Sequence, residues 1–194
     1  MITTREHPLR IDLTDAPYEP DIQAVFDRLP AGWSPPFALF RALARDGRLF
    51  HRFIRGAPIY FSNSNLTIRQ REALLLRVTA NCRCEYEWGL RIAFFQAEAG
   101  LDDEQVYASV YGNAEDACWT AEDALLVRLA DSLHASADIP DGLWGEISGR
   151  FTPEAILELL LLAGYYRTVA YLSNGLRLPP EPMARRFPAV LAAA

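Results

Sequence analysis

Lysine is absent from this sequence: all 19 basic residues are arginine. Schiff-base and general-base chemistry through lysine is thereby excluded. Histidine and cysteine are both scarce, at three residues each. An odd number of cysteines, two of them nearly adjacent, does not make a secreted disulfide framework. Scattered thiols without histidine neighbours also predict no metal site, and nothing in the sequence calls for a cofactor. Positive charge is not in excess. The formal net charge is −6, whereas a nucleic-acid partner would normally show as a basic stripe. The opening MITTREHPLR lacks the apolar run of a signal peptide. With the cysteine usage, this predicts a cytoplasmic location. The longest apolar segment, residues 155–172, is interrupted by Glu158 and Arg167 and reads as a buried helix, not a membrane span.

Apolar residues, in contrast, are plentiful. Hydrophobic residues make up 51% of the 194 positions and charged residues 23%, enough to bury a sizeable core in one domain spanning 1–194. No sustained period-two alternation flanked by hairpin turns occurs, so the expected class is all-α, with about eight helices. Pro8, Pro17 and Pro20 mark residues 1–19 as an extended N-terminal arm. A helix follows from Pro20, then a proline-rich break over 30–36, then two helices over 37–57 hinged near Asp46-Gly47. Thr67 with Gln70 and Thr120 with Asp123 are capping-box starts, and Gly100 is a helix stop. Residues 68–80 and 82–98 are expected to pair as antiparallel helices. LPPEP, at 178–182, ends the last long helix and leaves 178–194 as a tail, packed or loose.

The chemistry-bearing stretch is NCRCEYEW, residues 81–88. If 82–98 is one helix at about 100° per residue, Cys84, Glu87 and Arg91 share a face and Cys82 lies opposite. Those two thiols then cannot form an unstrained disulfide. The stripe Cys84, Glu87, Arg91, with Tyr86 nearby, offers one thiol, one carboxylate and one guanidinium. Glu87 and Arg91 are equally readable as a plain i,i+4 helix pair worth ~0.2–0.5 kcal/mol. Tyr86 and Trp88 are readable as core aromatics, Tyr165, Tyr166 and Arg167 as core or subunit packing or else as facing a pocket, and Glu72 as a carboxylate favoured in a first helical turn.

The segment 66–101 resembles the core motif of the carboxymuconolactone decarboxylase family, which includes the alkylhydroperoxidase AhpD. The resemblance rests on Leu66-Thr67, Arg71-Glu72, Leu76-Arg77-Val78, Tyr86-Glu87-Trp88 and Ala99-Gly100-Leu101. More loosely, Trp119, Trp144, Gly164-Tyr165 and Asn174 are similar to the second half of longer members. The resemblance implies an AhpD-like, oligomeric helical bundle. Carried over from the peroxidase branch, Glu72 matches the relay glutamate, Cys84 the first cysteine and Tyr86 the relay tyrosine. Glu87 stands where that branch has its peroxide-attacking cysteine, and Arg91 where it has histidine. Tyr-Glu-Trp is usual in the decarboxylase-like branch, where histidine again takes the place of Arg91.

Three functions follow as expectations. The first is an enzyme doing acid/base chemistry on a small organic acid or lactone, with Glu72, Tyr86 and Glu87 at the site and Arg91 binding a substrate carboxylate two-pronged. The second is a thiol-dependent alkylhydroperoxidase working through Cys84, a peroxiredoxin-type activity that needs an acidified thiol and a resolving partner. The third is a non-catalytic helical oligomer that binds a ligand or partner. All three take a small molecule or a second copy of the chain as partner, and neither nucleic acid nor membrane.

Overall fold

The computed structural model describes residues 8–29, 33, 35–57 and 63–190. Among these there are nine α-helices and no strand, as the patterning leads one to expect. The starts are written locally. Helix α1, Pro20–Phe26, opens on its proline, and α2, Ala38–Leu43, is separated from α3, Gly47–Gly56, by Asp46. The Asp46 carboxylate accepts from the amides of Arg48 and Leu49, donors that would otherwise be orphaned at a helix start. Helix α4, Ile68–Asn81, carries the predicted capping box: Gln70 N donates to Thr67 Oγ1 and Thr67 N to Gln70 Oε1. The same device opens α6, Asp103–Tyr111, at Asp102 and α7, Ala121–Ser136, at Thr120. Helix α5, Glu85–Ala99, stops at Gly100, whose φ of 63° is the left-handed conformation that glycine adopts at no steric cost. Helices α8, Asp141–Arg150, and α9, Pro153–Leu176, complete the set. Most of the proline-rich break at 30–36 lies outside the described residues.

The central element is α4, which packs against α5, α6, α7 and α9. It runs antiparallel to α5: Arg69, at its start, donates to the carbonyls of Ala99 and Gly100 at the far end of α5. Against α7 it runs parallel, held by the pairs Arg69–Asp123 and Arg77–Asp131. Leu74, Leu75, Leu126, Leu159 and Leu162 are fully buried between these helices.

One expected helical turn is missing. Residues 82–84 do not continue into α5: Cys82 caps the end of α4, Arg83 is left-handed with φ 51°, and Cys84 is the N-cap of α5. The helix-wheel argument for the two cysteines therefore starts from a turn that does not form. An arginine in the left-handed region carries none of the usual glycine or asparagine signal, so the reversal was invisible. The thiols nonetheless part company. Cys84 is in the core at 0% exposure, and Cys82 lines a surface groove with His134 and Arg167.

The tail is a packed arm over its described residues. The Glu181 carboxylate accepts from Ala38 N at the start of α2 and from the Tyr86 hydroxyl, both at 2.6 Å. Arg185 N donates to the Gly89 carbonyl at 3.1 Å, and the Phe187 ring meets Trp88 edge-on at 5.1 Å. Gly89 makes this approach possible, since a Cβ there would lie 2.0 Å from the Arg185 carbonyl oxygen.

Candidate active site

Glu72 lies in the first turns of α4 and is 1% exposed. A carboxylate so placed needs full pairing, because desolvation otherwise outweighs any attraction. Arg91, from the middle of α5, supplies it through a fork: Nε to Oε2 at 2.5 Å and Nη2 to Oε1 at 2.6 Å. Arg71 Nε adds a third bond, to Oε1 at 2.9 Å. The remaining guanidinium nitrogen of Arg91, Nη1, donates to the Tyr166 hydroxyl at 2.8 Å and to Glu87 Oε1 at 3.3 Å. Two rings lie against it, with Phe95 and Tyr166 centroids both 4.8 Å from the guanidinium carbon. Antiparallel packing of α4 on α5 sets Glu72 opposite Arg91, and α9 brings Tyr166.

Above this network lies a cavity of about 460 Å³. Its walls are largely apolar and half aromatic, with Phe37, Phe40, Phe53, Phe94 and Trp33 among them. Glu87, Arg91, Tyr165 and Tyr166 form its polar edge. The Glu87 side chain is only 13% exposed. Desolvation pushes its pKa up from 4.5 to about 7, with Arg91 pulling against the rise and Glu72 adding to it. Burial likewise pushes the Tyr166 hydroxyl up to about 12 despite Arg91, so it remains a hydrogen-bond donor at neutral pH.

The sequence-predicted residues divide. Glu72, Glu87 and Arg91 form one connected network. Tyr86 lines the cavity, but its hydroxyl is committed to Glu181 and Leu39 N, and burial followed by Glu181 raises its pKa. Cys84 does not line the cavity. Burial pushes its thiol up to about 12, the opposite of what a peroxide-attacking thiol requires. Arg91 was expected to present its two-pronged face to a substrate, yet Glu72 takes that face. Three contributors were missed or assigned to the core: Arg71, Phe95 and Tyr166. Tyr165-Tyr166-Arg167 on the most apolar helix was the available signal, because a buried phenol needs a polar partner. Among the described residues no cluster of metal-ligating side chains occurs.

No family model and no curated protein matches the chain. A solved structure does: an uncharacterized peroxidase-related protein from Silicibacter sp. TM1040, with a TM-score of 0.75 and 18% identity. The match covers 95% of this chain and 97% of that one. At this identity the likeness establishes the fold, all-α and AhpD-like, across nearly the whole chain.

Proposed function

We propose that the protein is an acid–base enzyme that moves a proton on a small carbonyl compound or lactone, with Glu87 as the group that takes the proton and returns it. The observation that carries the reading is a carboxyl group tuned to about 7 at the edge of an apolar cavity. Such a group is both a competent base and a competent acid at neutral pH. In the ionised state Glu87 removes a proton from the carbon next to the carbonyl, and the C–H electron pair moves toward the carbonyl oxygen. The Tyr166 hydroxyl, whose oxygen already accepts from Arg91, directs its own hydrogen at the oxygen where charge develops. Protonated Glu87 then returns the proton to carbon. Glu72 and Arg71 act through Arg91, fixing the guanidinium that holds both Glu87 and Tyr166.

The test is incubation with simple lactones and ketones in D2O, following loss of α-proton signals by NMR. Exchange that disappears in Glu87→Gln, with helicity intact, supports the reading, because an amide cannot carry the proton. Exchange that survives Glu87→Gln refutes it.

A second reading, thiol-dependent peroxidase activity through Cys84, draws on the peroxidase-related description of the structural neighbour. The buried, weakly acidic thiol weighs against it. Hydroperoxide consumption abolished by Cys84→Ser would favour it. A homo-oligomer in the cytoplasm completes the proposal: free cysteines suit a reducing compartment, and α9 exposes a row of apolar side chains at Leu157, Leu161 and Tyr171.

A further inference from the structure

We infer that the cavity selects an uncharged, largely apolar, ring-sized molecule bearing one hydroxyl or carbonyl oxygen, and that it turns carboxylates away. The inference rests on the same cavity and the same Glu87 as the proton transfer proposed above, but it concerns binding alone.

The cationic group at the cavity edge has little left for an anion: four of the five N–H hydrogens of Arg91 are already bonded, and the residue is only 2% exposed. Arg91 gives Nε and Nη2 to Glu72 and Nη1 to Tyr166 and Glu87, and two aromatic rings lie against it. Arg71 bonds the same Glu72 and does not line the cavity. A carboxylate entering the cavity would have to displace Glu72, leaving a buried charge short of its main partner, or lie beside Glu87 and share an Arg91 that already serves two carboxylates.

A neutral oxygen meets none of these costs. Tyr166 has a hydroxyl hydrogen with no acceptor among the described residues, and Glu87 Oε2 has no donor among them. One donor and one acceptor, both tied to Arg91 Nη1, match a single hydroxyl, which accepts from the first and donates to the second. A carbonyl uses Tyr166 and presents its neighbouring C–H to Glu87. The rest of the ligand meets an aromatic wall, in which Trp33 stacks on Phe37 at 4.4 Å and on Phe94 at 5.4 Å, with their planes within 30°. A volume of about 460 Å³ lies in the size range that encloses compact ring compounds.

The experiment compares 2-naphthol with 2-naphthoate at pH 8, by calorimetry or tryptophan quenching. These two share a ring system and differ mainly in charge. Naphthol should bind at least ~10-fold more tightly. Glu87→Gln should narrow that gap by admitting the anion. Val25→Trp, at a half-buried position on the cavity lining, should weaken naphthol several-fold by filling space. Naphthoate binding as tightly as naphthol, or both affinities unmoved by both variants, overturns the inference. Since binding needs no turnover, a chain that prefers naphthol yet exchanges no α-protons sinks the proton-transfer reading and leaves this one standing.

Discussion

Glu87 is held in the folded chain with a pKa near 7 instead of 4.5, and this has a sign. Between those two values the folded state keeps a proton that the unfolded chain gives up. The stability this carboxyl contributes is therefore full below about pH 4.5 and is lost as pH rises through about 7. Glu87→Gln should accordingly unfold at higher denaturant than the parent at pH 8, by roughly 3 kcal/mol, with the gap closing toward pH 4.5. A variant that is less stable than the parent at pH 8 would show that the charged form is the favoured one. The gain in stability and the loss of proton transfer would come from the same substitution, as at many functional positions. Arg91 gives a second measurement at this scale. As an exposed i,i+4 partner of Glu87 its removal would cost about 0.3–0.5 kcal/mol. As the main partner of a carboxylate at 1% exposure, Arg91→Ala should cost about 3–5 kcal/mol in urea denaturation.

At the scale of elements, the α4–α5 pair and its closing reversal set the geometry of the site. The pair itself was legible: Thr67 with Gln70 writes the start of α4, Gly100 writes the end of α5, and the hydrophobic spacing between them is helical. The reversal at 82–84 was not, because Arg83 adopts the left-handed region without a residue type that announces it. Glu87 and Arg91 lie within α5 and were legible from their i,i+4 spacing and from the resemblance, whereas Cys84 was placed on a helical face it does not occupy. Phe95 was illegible as a site residue, since an apolar ring reads as core, whereas Tyr166 was legible as facing either a pocket or the core, and only its bond to Arg91 decides between them. The contact of α5 with the tail gives a prediction. Gly89→Ala puts a methyl group 2.0 Å from the Arg185 carbonyl oxygen, which a backbone atom cannot evade by rotating. The tail must lift, at a cost of about 1–3 kcal/mol. Limited proteolysis should then cut within 179–190 faster than in the parent; an unchanged cleavage rate would show that the tail accommodates the methyl.

On the scale of the whole molecule, α9 carries both faces of the argument. One side is core. The other exposes Leu157, Leu161, Gly164, Thr168 and Tyr171, spaced four and three residues apart in turn, the seam pattern of paired helices. This helix is long and apolar enough to cross a membrane by length and composition, but half of its most apolar stretch is buried within the protein. A second copy packed along this seam would cover the exposed side. Light scattering at micromolar concentration should therefore give a multiple of 21.8 kDa, and Leu157→Arg combined with Leu161→Arg should return it to the single-chain mass. A parent already at that mass would exclude the assembly.

The clasp made by Glu181 also orders events during synthesis. It joins Ala38, Tyr86 and residue 181, so the first helices wait for more than a hundred further residues before that bond can form. A nascent chain that has emerged only as far as Leu176 carries the sequence of all nine described helices, yet Trp88 lacks Phe187, Gly89 lacks Arg185 and Tyr86 lacks its acceptor. Contacts of such sequence separation are slow to close. Until the tail docks, one side of α5 stays uncovered at Tyr86, Trp88 and Gly89.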